Sequence, residues 1–160
     1  MDLSQMLMLG DPRLHHISEP LSPDEVNSVR EWAVGLDSII LQFRKRYGAG
    51  RAVAAPQMGI FKRLVCTHID RPVVMINPEL SGLSDEIFEL WDDCMCFPNL
   101  LVRVRRHKSC VLKFRDLDWR EHTWMLSDDL SELLQHEVDH LDGILATQRA
   151  IDSTSFCWRK

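Results

Sequence analysis

Two periodicities divide the chain. Val26, Val29, Ala33, Leu36, Ile40, Phe43 and Tyr47 recur at three and four residues, the spacing of one helix face. Ser22-Pro23-Asp24-Glu25 supplies an N-cap, a proline at the first helical position and a glutamate two residues later, and Gly48 ends the run. The stripe predicts one long helix packed on a sheet rather than a coiled coil. Beyond Gln57 the apolar runs shorten to strand length, over 64–69, 73–76, 87–95, 101–106, 110–114 and 123–126. A second helix follows. Ser127 is its N-cap, Asp128 and Asp129 occupy the acid-favouring first turn, Leu130, Leu133, Leu134, Val138 and Leu141 form the core stripe, and Gly143 is the stop. A short strand over 144–147 is expected after it. Helix first and mostly strand afterwards is the order of an α+β fold.

The second helix carries the chemistry. His136-Glu137-Val138-Asp139-His140 reads H-E-x-x-H, which on a helix stacks two imidazoles on one face with a carboxylate beside them. Two histidines on one metal ion, a metal-activated water and a carboxylate base make a hydrolytic site. The third ligand has to come from elsewhere. The pattern with a third histidine six residues after His140 fails at Ala146, and a later glutamate ligand fails because no glutamate follows Glu137. Asp142 and Asp152 remain as downstream carboxylates. Upstream, Trp91-Asp92-Asp93-Cys94-Met95-Cys96-Phe97-Pro98 offers thiols, and cysteine joining two histidines leaves a fourth position open for water.

Composition narrows the class. With 160 residues and 45% hydrophobic content, residues 1–160 suit one catalytic domain with a full core. A net charge of −5 and pI near 5.8 argue against nucleic-acid binding, and the basic run from Arg103 to Lys108 reads as a strand with a solvated arginine face. The odd number of cysteines, 5, favours a reduced compartment over a disulfide framework, with Cys66 and Cys110 buried in strands. His15, His16, His68, His107 and His122 lack ligand spacing and read as surface or loop residues. No run reaches membrane-spanning length and no secretory signal opens the chain, so a cytoplasmic location is expected, or an organelle if a leader has been removed.

Three motifs in order resemble one family. Asp92-Asp93-Cys94-Met95-Cys96 resembles the E-G-C-L-S motif of the peptide deformylases, Gln135 to Leu141 resembles their Q-H-E-x-D-H-L, and Gly50-Arg51-Ala52-Val53-Ala54-Ala55-Pro56-Gln57 resembles their G-x-G-x-A-A-x-Q. The resemblance runs from about Leu9 to Ala150. It implies sheets, antiparallel or mixed, around a central H-E-x-x-H helix, with a long N-terminal helix and here a short C-terminal tail. It implies a hydrolase that removes the formyl group from N-formylmethionyl nascent peptides, leaving ribosome association and oligomeric state open. By the same resemblance Cys94, His136 and His140 hold one divalent ion, ferrous iron, though zinc, nickel and cobalt also suit mixed nitrogen and sulfur ligation. Glu137 is the acid/base, the Gln57 amide and the Met95 N–H hold the developing oxyanion, and Ala52, Val53, Arg51, Glu132 and Leu133 lie at the substrate.

The departures from the family pattern matter as much. Asp92 stands for a glutamate that pairs with an arginine aligned with Arg106, and the shorter side chain has to reach. Asp93 replaces a glycine beside Cys94, adding negative charge and restricting the backbone. Cys96 replaces serine, and Ala52 replaces the second glycine of its motif. Arg51 and Glu132 occupy positions that are normally apolar, and an ion pair between them is expected, because either charge alone there is costly. Asp93 supports an alternative: a deformylase-like metal-binding protein with lost activity, or with activity on another N-acyl amide.

Overall fold

The first helix begins where Glu25 reaches back to cap Ser22, the Ser22 N–H donating to Glu25 Oε2 at 2.9 Å. A single 3-10 turn, Pro23–Glu25, leads into α1, Val26–Tyr47, and Gly48 ends it in the left-handed conformation at φ 70°. The structure is a computed structural model that describes residues 1–159. Val29, Ala33, Leu36, Ile40 and Phe43 are buried as the stripe predicts, and Ile39 joins them because a helix lying on a sheet buries a wider arc.

Strands β1 (Ala52–Ala54), β2 (Leu64–His68), β3 (Pro72–Ser81), β6 (Ser109–Arg115) and β7 (Glu121–Ser127) form one sheet in the order β1-β2-β3-β6-β7. Strands β4 (Ile87–Asp93), β5 (Leu100–His107) and β8 (Phe156–Trp158) form the other in the order β4-β5-β8. Every pairing between these strands is antiparallel. The strand period of two splits the larger sheet: Val53, Leu64, Cys66 and Ile76 pack under α1, whereas Ala52, Ala54, Val65 and Met75 face the second helix. β3 is longer than its apolar run because a register slip between Ile76 and Glu79 lets it continue. Asn77 sits there at φ 50°, its side chain bracketing the Leu21 N–H and C=O at 2.8 Å each.

The second helix, α2 (Asp128–Leu141), lies between the sheets. Leu133, Leu134 and Leu141 enter the core of the larger sheet, while Ser131 and Gln135 bind the main chain of His107 on β5. Ser127 precedes it in extended conformation without a side-chain cap bond, and Leu130 is 38% exposed, off the core stripe. The strand expected over 144–147 is absent. Leu145 and Ala146 instead bury against Cys94, Val102 and Val104, and Gln148 caps the Leu145 N–H at 2.8 Å to start a 3-10 turn, Ala146–Arg149. β8 escaped the pattern because its three residues are all exposed and show no alternation.

Gly143 is required by shape as well as by turn. At φ 72° its added Cβ would lie 2.4 Å from the His15 carbonyl oxygen. Gly143→Ala is therefore expected to lower unfolding free energy by more than about 1–2 kcal/mol, the cost of the left-handed region alone. A urea midpoint equal to that of the parent would contradict this.

Candidate metal centre and substrate cleft

α2 delivers His136 and His140 to one face, and Cys94 arrives from the turn that follows β4. His140 Nε2 lies 3.2 Å from His136 Nε2 and 3.3 Å from Cys94 Sγ. Among the described residues, these form the one group of three whose histidine, cysteine or carboxylate ligand atoms all lie within 4.8 Å of one another, and all three are buried. Two ring nitrogens and a sulfur converging so closely have the spacing of a tetrahedral ion's ligands, about 3.3–3.6 Å for bonds of about 2.0–2.3 Å. The donor set fits a divalent cation with one position left open.

The orientation of His136 is fixed from behind. Asp92 Oδ2 accepts a hydrogen bond from the His136 Nδ1–H at 2.9 Å, which leaves Nε2 to face Cys94 and His140. Asp92 also accepts from Arg106 Nη2 at 3.1 Å, so the shorter carboxylate does reach its arginine. Arg106 Nη1 donates to Asp139 at 2.6 Å, and Arg149 closes the chain onto Asp139 at 2.8 Å. Burial opposes ionisation of Asp92, yet His136 and Arg106 more than offset it and hold the carboxyl below its usual range. Burial likewise opposes charge on His136, but Asp92 wins and raises it to about 9. Burial and neighbouring His136 drive His140 the other way. Burial, with the Cys96 thiol beside it, pushes the Cys94 thiol up. A cation among them reverses this balance by favouring the thiolate and neutral imidazoles.

Glu137 points into the same space. Its Oε2 has no hydrogen-bond partner among the described residues, and burial, with Asp92 and Glu132 adding, pushes its carboxyl to about 7. Such a group exchanges protons near neutrality. Gln57 is oriented by the Ala54 N–H, which donates to its Oε1 at 2.8 Å. Its amide nitrogen therefore turns to the sulfurs, 3.5 Å from Cys94 and 3.3 Å from Cys96.

A cleft of about 40 Å³ opens beside this cluster, lined in part by Ala52, Met95, Leu133, Arg51 and Glu132. Arg51 donates to Glu132 Oε1 at 2.5 Å, so the expected ion pair forms, and Asp129 flanks the guanidinium at 3.7 Å. The Val53 side chain, by contrast, packs under α1, so only its main chain remains to meet a substrate. Asp93, at the end of β4, also lines this cleft, and its carboxylate pairs with Arg159, the residue after β8. Its φ is not positive, so no glycine is needed there. Arg159, Asp139 and Asp129 were not foreseen: each is a surface-type charge whose partner lies far away in the sequence. The remaining histidines are mostly not loop residues. His68 on β2 pairs with Asp37, His122 on β7 with Asp116, and His107 on β5 with the Ser84 carbonyl. Cys66 and Cys110 are buried free thiols, and none of the described helices is long and apolar enough to cross a membrane.

Known proteins share this fold and much of this sequence. Residues 3–155 match the family model described as polypeptide deformylase. A peptide deformylase of Erythrobacter litoralis is 31% identical over 91% of this chain and 88% of its own. The crystal structure of peptide deformylase from Thermotoga maritima superposes with a TM-score of 0.80 at 27% identity, covering 92% of this chain and 97% of that one. A Synechococcus elongatus peptide deformylase in complex with actinonin superposes with a TM-score of 0.81 at 25% identity, covering 94% and 80%. The converging thiol and imidazoles, the carboxylate beside them and these likenesses agree: the chain belongs to the peptide deformylase family, whose reaction is metal-dependent deformylation.

Proposed function

We propose that this protein deformylates N-formylmethionyl nascent peptides in the cytoplasm as one catalytic domain, residues 1–160, with Cys94, His136 and His140 holding a ferrous ion and Glu137 moving the proton. The observation that carries the reading is the convergence of those three ligand atoms beside a buried, unpartnered carboxyl. A divalent ion held there supplies a Lewis acid and lowers the pKa of water enough to make a nucleophile at neutral pH.

The chain does the rest. Glu137 takes the proton of the attacking water and returns it to the departing amine, work that its raised pKa suits. As the formyl carbon becomes tetrahedral, negative charge gathers on its oxygen. The Gln57 amide, already fixed through Ala54, and the Met95 N–H donate to that oxygen. Ala52 keeps the β1 wall low, so the peptide main chain can approach. Asp92 holds His136 in the right tautomer, and Arg106 holds Asp92. Asp93 was the feature that spoke for a lost reaction. Its carboxylate is paired with Arg159 rather than left as a bare charge beside the thiolate, and that weakens the support.

The test is formate release from a formyl-Met tripeptide by protein loaded anaerobically with ferrous iron. No formate above a heat-denatured control would refute the reading. Gln57→Leu in the same assay is expected to lower kcat by about 10²–10³-fold, as loss of one oxyanion donor does elsewhere. A kcat within threefold of the parent would remove Gln57 from that role.

A further inference from the structure

The first side chain of a formyl peptide branches only a few bonds from the formyl carbon. With that carbon beside Glu137, the side chain enters the cleft bounded by Arg51 and Glu132. Glu132 sits one helical turn before His136, and its side chain is 9% exposed. Arg51, 39% exposed, reaches in from the rim to meet it. The wall of the slot is thus a charged pair whose arginine is partly open to solvent. Asp129, 77% exposed and 3.7 Å from the guanidinium, waits at the outer side.

The closed pair gives the cleft a charged wall. A short side chain such as that of alanine or serine asks nothing of that wall. Methionine, longer and unbranched, finds no aliphatic surface there and reaches past the pair only by driving Arg51 out toward Asp129. Glu132 would then lose its cation in a site with little water, which penalises the complex. In an aliphatic slot the same methylenes would favour binding instead, by about tenfold or more each.

We propose that the Arg51–Glu132 pair sets the choice of the substrate's first residue, so that this deformylase takes N-formyl peptides with short first side chains at least as well as formylmethionyl ones. The proposal rests on the deformylase reading above and deepens it by naming the substrate class.

The test uses iron-loaded protein and formyl-Xaa-Ala-Ser tripeptides in which Xaa is alanine, serine, valine or methionine. For the parent, kcat/KM with alanine is expected to equal or exceed that with methionine. In the double variant Arg51→Ile with Glu132→Ile, the methionine-to-alanine ratio is expected to rise at least about tenfold, carried by KM. Calorimetric binding of the product tripeptides should follow the same order in both proteins. A parent that favours methionine tenfold or more overturns the proposal, as does a ratio that the double variant leaves unmoved. If the double variant does not fold, the parent series decides alone. Formate from the methionine peptide only sinks this inference and leaves the deformylase reading standing, whereas no formate from any peptide sinks both.

Discussion

Glu137→Gln is expected to abolish nearly all turnover while leaving the metal in place. The substitution keeps the shape of the side chain and removes only its capacity to accept and return a proton. Positioned acid/base groups contribute about 10²–10⁴-fold, so kcat for formate release should fall by that factor. Neither Cys94, His136 nor His140 bonds to Glu137, and the ligand spacing of 3.2–3.3 Å should survive. Metal content per chain is therefore expected to match the parent. A kcat within tenfold of the parent would mean that another group moves the proton. Loss of metal along with activity would mean that Glu137 holds the site together rather than serving it.

Arg106→Met should be the most damaging change outside the cleft. Arg106 is 4% exposed and stands between Asp92, 5% exposed, and Asp139, whose side chain is 13% exposed. Methionine fills the space of the stem but leaves Asp92 without its cation. Breaking a buried pair by removing one partner costs about 3–5 kcal/mol. For a chain of this size that is a fall in Tm of roughly 6–20 °C. A second effect follows through His136. Asp92, freed from Arg106, holds the imidazole less firmly, and loss of such support typically weakens metal binding by about 10–100-fold. Thermal unfolding and a competitive chelator titration measure the two effects separately. Arg106→Met combined with Asp92→Asn should unfold at a higher temperature than Arg106→Met alone, because the stranded charge is gone. If the double variant is no more stable, uncompensated charge is not the cause.

The parts legible in the sequence are those whose physics is local. α1 announced itself through its cap, its stripe and Gly48, and α2 through H-E-x-x-H and its leucines, because both patterns repeat within a few residues. The metal trio was legible because two ligands share one helix and the motif around Cys94 resembles one that is known. Arg51 and Glu132 stood out as charges in apolar positions, and such charges have to find each other. What escaped was settled by distant partners. The run at 144–147 looked like a strand, but burial of Leu145 and Ala146 against Cys94 and Val102 decided otherwise. Arg159 carried no local signal, since only the pairing of β8 with β5 brings it to Asp93. The Asp139 link between Arg106 and Arg149 likewise needs β5, α2 and the turn after it in place together.

Cys94 is suspended from the smaller sheet, whereas His136 and His140 ride on a helix seated in the larger one. The reactive centre therefore straddles a joint between two bodies, crossed by the Arg106–Asp139 bond and by the grip of Gln135 on His107. Breathing at that joint would alter the sulfur-to-nitrogen spacing before any strand came apart. Changes on β5 far from the substrate should accordingly register first as faster leakage of the ion and only later as unfolding.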